Sequence, residues 1–138
     1  MTDRQLTDAR HLVEQLLAGI AAGPSLDLAD CYAEDAVVEL PFAQPGGLML
    51  RGRAEIRQHF AGAAQAPFRL TPVDVTLHGT TDPGLIVAEY DYEGQVLPTG
   101  QRFRVANVQI IRVQGGLIVS SRDFHDHAAL AAAARGDG

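Results

Sequence analysis

The sequence predicts an α+β domain in which the helices come first and the strands come late. Three observations carry this. Apolar residues recur at helical spacing over positions 6–20 and again over 56–63. From position 68 onward the apolar period drops toward two. The late runs are separated by TTDPG, LPTG and GG, turns that join antiparallel neighbours. The expected order is α-α-β-β-α-β-β-β-β, a single domain over 1–138, with the tail 128–138 expected to fray or stay disordered.

Each element has a local cause. Thr2 followed by Gln5 reads as a capping box. Behind it Leu6, Ala9, Val13, Leu16, Leu17 and Ile20 form one apolar stripe, and Gly23 and Pro24 end the helix. Ser25 caps a second short helix, LDLADCYA, whose Leu28, Cys31 and Tyr32 share a face; Glu34 and Asp35 read as its acidic end and the turn after it. AVVEL is a short strand stopped by Pro41, and LML a second one. The third helix, RAEIRQHFAGA, follows Gly52 and presents Ile56, Phe60 and Ala63 on one face. Four strands complete the chain: FRLTPVDVTLHG, LIVAEYDYEGQ, QRFRVANVQIIRVQ and LIVSSRDFH.

Composition narrows the chemistry. All 11 basic residues of the 138 are Arg. Mechanisms that need a lysine amine, such as Schiff bases and pyridoxal phosphate attachment, are therefore excluded. The formal net charge is −6 with no basic cluster, which argues against a nucleic-acid partner. A single cysteine, Cys31, rules out an intrachain disulfide and a cysteine-based zinc site. No apolar run approaches the length of a membrane span, and the start of the sequence, polar and mixed in charge, is unlike a signal peptide. A cytoplasmic location is expected.

The order of elements, together with CYAEDAVVELPF, LRGRAEIRQHF and VQIIRVQGGLIVSSRDFHD, resembles the nuclear transport factor 2-like superfamily, in its SnoaL-like and ketosteroid isomerase-related branches. The resemblance covers nearly the whole chain. It implies a cone: a curved mixed sheet wrapped around the long first helix, with a pocket at the open end. Residue by residue, the ketosteroid isomerase pattern is lost. Its base aspartate, oxyanion tyrosine and oxyanion aspartate correspond here to Leu40, Leu16 and Gln109. SnoaL cyclases and limonene epoxide hydrolases place an acid on the last strand, and SSRDFHD carries that role over to Asp123. The hydrolase's Arg and second Asp on an earlier strand are not reproduced, since VAEYDYE offers only Glu89 and Asp91.

Strand parity assembles the candidate site. On the last strand Leu117, Val119, Ser121, Asp123 and His125 share a face. Asp123 in an apolar pocket would be an acid or base usable near neutral pH. Its alternative is an ion pair with Arg122 or Arg104 at the rim. His125 either orients or relays a proton for it, or is solvated where the strand ends. Asn107 and Gln109, amides on an otherwise apolar strand, hold either each other and main chain or a ligand carbonyl. Tyr32, Phe42, Phe60, Tyr90, Tyr92 and Phe103 are candidates for the pocket wall. Asp123, His125, Asp126 and His127 have a metal-like spacing, but no second segment completes a site, so neither a metal nor a cofactor is expected. His59 has no arguable partner.

Two functions follow. One is a cofactor-independent isomerase, cyclase or hydrolase in which Asp123 transfers a proton and Asn107, Gln109 or a tyrosine polarises a carbonyl or epoxide oxygen. The other is a non-catalytic module of the same fold that binds an apolar ligand or serves a dimer interface. The partner in both is a small apolar molecule. Apolar residues on both faces of the last strands also predict a homodimer packed through the sheet.

Overall fold

A computed structural model describes residues 3–22 and 26–135. It contains α1 (Asp3–Ala21), a 3₁₀ turn (Leu26–Cys31), β1 (Tyr32–Leu40), β2 (Leu48–Arg51), α2 (Arg53–Ala64), β3 (Phe68–Gly79), β4 (Leu85–Val96), β5 (Arg102–Gln114), β6 (Leu117–His125) and α3 (His127–Ala134). The predicted caps and stops at Thr2, Gly23, Pro24 and Ser25 lie outside the described residues.

One curved mixed sheet runs β2-β1-β6-β5-β4-β3. All neighbours are antiparallel except β1 and β6, which are parallel. The expected α+β cone is therefore present. The stripe read from the sequence is the face that α1 buries: Ala9, Val13, Leu16 and Leu17, joined by Leu12, lie in one core with Ile86, Ala88, Val105 and Ile111 of the sheet, and Leu6 and Ile20 pack partly buried against it. Bulges interrupt the regular ladder of the sheet. One falls between Val73 and Thr76 on β3, where Asp74 takes φ 55, a left-handed conformation that Asp tolerates better than most residues. The GG hairpin forms as read, with φ 59 at Gly115 and 79 at Gly116, the positive pair that a tight two-residue turn requires.

Four details differ from the sequence reading. The second helix is only a 3₁₀ turn, and Tyr32 opens a strand instead of closing a helix. Glu34 and Asp35 lie exposed in β1 where its register with β6 shifts, a bulge that leaves charged residues out of the buried ladder. A third bulge, opposite Arg112 and Val113, inserts Val119 into β6. It reverses the parity of the strand's first half, so Ile118 is buried in the core while Leu117 and Val119 leave the face of Ser121 and Asp123. The segment expected to fray carries α3, whose N-cap Asp126 accepts a hydrogen bond from the Ala129 amide at 3.0 Å. That cap and the run HAALAAAA, rich in the best helix former, explain it. Among the described residues no helix is long and apolar enough to cross a membrane.

Candidate active site

The cone encloses a cavity of about 260 Å³ between the concave face of the sheet and all three helices. Leu16 and Ile20 of α1, Ile56 and Phe60 of α2 and Leu130 of α3 make its apolar walls. One wall is polar: Gln109 on β5 and Asp123 and His125 on β6, faced by His59 of α2 and His127 of α3. No Arg among the described residues lines the cavity, and the chain has no Lys.

Asp123 is 7% exposed. Burial pushes its carboxyl above the ordinary carboxylate value, against the opposing hydrogen bonds from Ser121 and Gln109. Ser121 Oγ donates to Oδ1 from two residues back on the same strand face. Gln109 sits directly opposite in the β5–β6 register. Its Oε1 accepts from the Tyr90 hydroxyl at 2.7 Å, which turns the amide N–H groups toward Asp123. Neither arginine considered as an ion-pair partner is near. Arg122 faces the outer side, bonded to Glu39 at 2.9 Å and stacked on Phe124. Arg104 is held by Asp91 at 2.8 Å and by Asp74 on the same outer side.

His125 is fixed in one tautomer by Asn107. The Asn107 Nδ2 donates to the Val105 carbonyl at 3.3 Å, so its Oδ1 accepts from His125 Nδ1–H at 2.8 Å. The Nε2 lone pair is thereby left facing Asp123 Oδ2 at 4.0 Å. Burial is the largest cause holding the His125 imidazole down to about 4, so this contact is between a carboxyl and a neutral ring rather than an ion pair. His59 and His127 are also pushed below the ordinary imidazole value, chiefly by burial. Burial raises the Tyr92 hydroxyl to about 12 and lifts Tyr32 well above its ordinary value. Near neutral pH the cavity thus holds one titratable acid among neutral rings and protonated phenols.

Six of the sequence-predicted residues line the cavity: Asp123, His125, Tyr32, Phe60, Tyr92 and Gln109. Four do not. Phe42 lies beyond the end of β1, 61% exposed, with its ring against Phe124 on the outer side. Phe103 lies over Gly94, its cross-strand partner, so closely that a Cβ there would sit 2.2 Å from the ring, and it packs edge-on against Phe68. Tyr90 stands behind Tyr92 as the donor to Gln109, and Asn107 stands behind His125. These two act on the wall without forming it.

His59 and His127 were not placed in the pocket by the sequence reading. His59 has a usable signal: Ile56, His59, Phe60 and Ala63 are the full i, i+3, i+4, i+7 face of α2. The spacing of His125 and His127 suggests one strand face, but β6 ends at His125 and His127 enters from α3. Among the described residues no group of three or more His, Cys, Asp or Glu is arranged to hold a metal ion.

Comparisons with known proteins agree with this architecture. Residues 13–121 match the SnoaL-like domain family. YesE, an uncharacterised protein of Bacillus subtilis, is 26% identical over 96 residues, which is 69% of this chain and 65% of YesE, a little under two thirds of its length. A solved Bacillus subtilis protein provisionally assigned as an isomerase superposes with a TM-score of 0.83 at 22% identity, covering all of this chain and 98% of the other. SalBIII, an epoxide hydrolase/cyclase-like enzyme of pyran ring formation in the polyether salinomycin, superposes with a TM-score of 0.72 at 20% identity, covering 94% and 97%. At these identities the structural likenesses establish a shared fold.

Proposed function

This chain belongs to the SnoaL-like domain family, and we propose that its cone carries out an acid–base reaction on a small apolar molecule bearing a carbonyl or epoxide oxygen, with Asp123 moving the proton. The observation that carries this reading is Asp123 itself: a buried carboxyl at the wall of an apolar cavity, raised in pKa, with no Arg among the described residues lining that cavity. A carboxylate held for structure alone is expected beside a cation or in solvent, whereas Asp123 has only the hydrogen bonds from Ser121 and Gln109. On a ketone, the ionised carboxylate takes a proton from the carbon next to the carbonyl. The C–H pair becomes the enolate double bond, and the carbonyl π pair moves onto oxygen. The same carboxyl then returns the proton. His125 faces Asp123 as a neutral ring, with its Nε2 4.0 Å from the carboxyl. The fold-level likeness to an isomerase candidate and to an epoxide hydrolase/cyclase-like enzyme supports the same class of chemistry. A probe reaction tests it: 2-acetylnaphthalene in D₂O, with loss of the acetyl hydrogen signal followed by NMR. The wild-type protein is expected to accelerate exchange over buffer. Equal rates with wild type and with Asp123→Asn would overturn the reading.

We also propose that the functional unit is a homodimer of this chain packed through the outer face of the sheet. Val87, Val108, Ile110 and Phe124 form neighbouring apolar positions there, each only partly buried. The flanking ion pairs Arg122–Glu39 and Arg104–Asp91 would form a polar rim. Sedimentation at micromolar concentration is expected to give twice the monomer mass, and Val108→Arg to give monomer. A wild-type protein sedimenting as monomer would reject the assembly.

A further inference from the structure

The acid–base reading needs a donor that polarises the substrate oxygen. Of the donors suggested by the sequence, Asn107 is committed to His125 behind the wall and Gln109 to Tyr90 and Asp123, which leaves the hydroxyls of Tyr32 and Tyr92 and the histidines of the helices on the cavity wall. We propose that His127 is that donor, its Nε2–H bonding the carbonyl or epoxide oxygen of a neutral apolar ligand seated against Asp123. This rests on the reading above and specifies the ligand's polar end.

Among the described residues, His127 Nε2 is the one buried side-chain nitrogen or oxygen without a hydrogen-bond partner, and His127 is one of the residues lining the cavity. Such an atom costs roughly what a lost hydrogen bond costs, so a ligand that supplies an acceptor recovers that loss on binding. The ring is fixed from behind. Its residue opens α3 directly after the N-cap Asp126, the His125 ring lies 5.7 Å away, and Leu130 of the same helix lines the same cavity.

The charge of the ligand follows from the wall. A carboxylate or phosphate ligand would meet no arginine in the cavity and would face Asp123. A neutral oxygen meets neither objection. Burial keeps the His127 ring neutral, so it can hold an N–H toward an oxygen that gains charge as Asp123 removes the proton from carbon. The ligand is then an apolar body with one neutral oxygen near α3 and its reactive carbon near β6.

Two matched probes test this. 2-Acetylnaphthalene carries the oxygen and 2-ethylnaphthalene lacks it; naphthalene fluorescence reports binding, and the protein has no Trp to interfere. Both are titrated into wild type, His127→Leu and His127→Gln. The affinity for the ketone relative to the hydrocarbon is expected to fall about tenfold in His127→Leu, the size of one hydrogen bond, with the hydrocarbon affinity unchanged. His127→Gln, which keeps an N–H near the same place, is expected to retain part of the preference. The ketone's deuterium exchange is expected to slow by about 10²-fold in His127→Leu. An unchanged affinity ratio in a His127→Leu protein that binds both probes would overturn the assignment of His127 alone. Failure of wild type to bind either probe would overturn the cavity reading, and this inference with it.

Discussion

Asp123→Asn is expected to remove turnover while leaving the fold intact or slightly more stable. The first half follows from the chemistry: an amide cannot accept the proton, and a positioned base contributes about 10²–10⁴ in rate. Exchange of the 2-acetylnaphthalene acetyl hydrogens should therefore fall by at least about 10²-fold. The second half follows from linkage. Asp123 has a folded pKa above its ordinary value of 3.8, so folding favours its protonated form. That contribution is present at low pH and is lost as pH rises through the folded pKa; above it the buried carboxylate opposes folding. Asn keeps the shape and an acceptor for the Ser121 hydroxyl while removing the charge. Denaturant melts at neutral pH should show equal or higher stability. A loss above about 2 kcal/mol, the scale of breaking a charge-assisted hydrogen bond, would make Asp123 a structural group and favour the binding-module reading.

The second large effect is acid lability set by His125. Burial lowers its folded pKa to about 4 from an ordinary 6.5. The unfolded chain therefore binds more protons between those values, and stability rises with pH across that window. From the two pKa values, acidification from pH 6.5 to 4 should cost about 3 kcal/mol through this one ring. His59 and His127 shift in the same direction and add to it. Asp123 works the other way, since its raised pKa favours the folded state on acidification. His125→Asn isolates the ring: its amide can still donate to Asn107 Oδ1, yet it has nothing to protonate. Urea melts from pH 4 to 7 should show a markedly flatter stability profile for this variant. A slope equal to that of wild type would show that His125 is not buried neutral.

The fold was legible because its main signals are periodic and local. The α1 stripe, the α2 face, the GG hairpin and the alternating strands all follow from burying one side of an element. The details that were not legible are where the period breaks. The Val119 bulge in β6 moves Ile118 to the core, and no pattern in LIVSSRDFH marks it. Parity still brought Asp123, His125 and Gln109 to one face because all three lie on the same side of that bulge. Aromatic identity was a weaker guide. Phe42 and Phe103 were chosen for their ring chemistry, but one follows the end of a strand and the other covers a glycine on its neighbour. His127 was hidden for another reason: its place depends on where β6 gives way to α3, a change of period within a single residue.

The central claim is that Asp123 is a desolvated proton-transfer group of the cavity, and the titration of its own carboxyl tests that most directly. Protein labelled with ¹³C at Asp, with Asp123→Asn used to assign the Asp123 Cγ resonance, can be followed by NMR as pH is raised from 3. The expected midpoint lies clearly above 3.8, the ordinary value, and moves higher when an apolar ligand displaces water from the cavity. A midpoint at or below 3.8 would place a stabilising charge or solvent beside Asp123 and contradict the account.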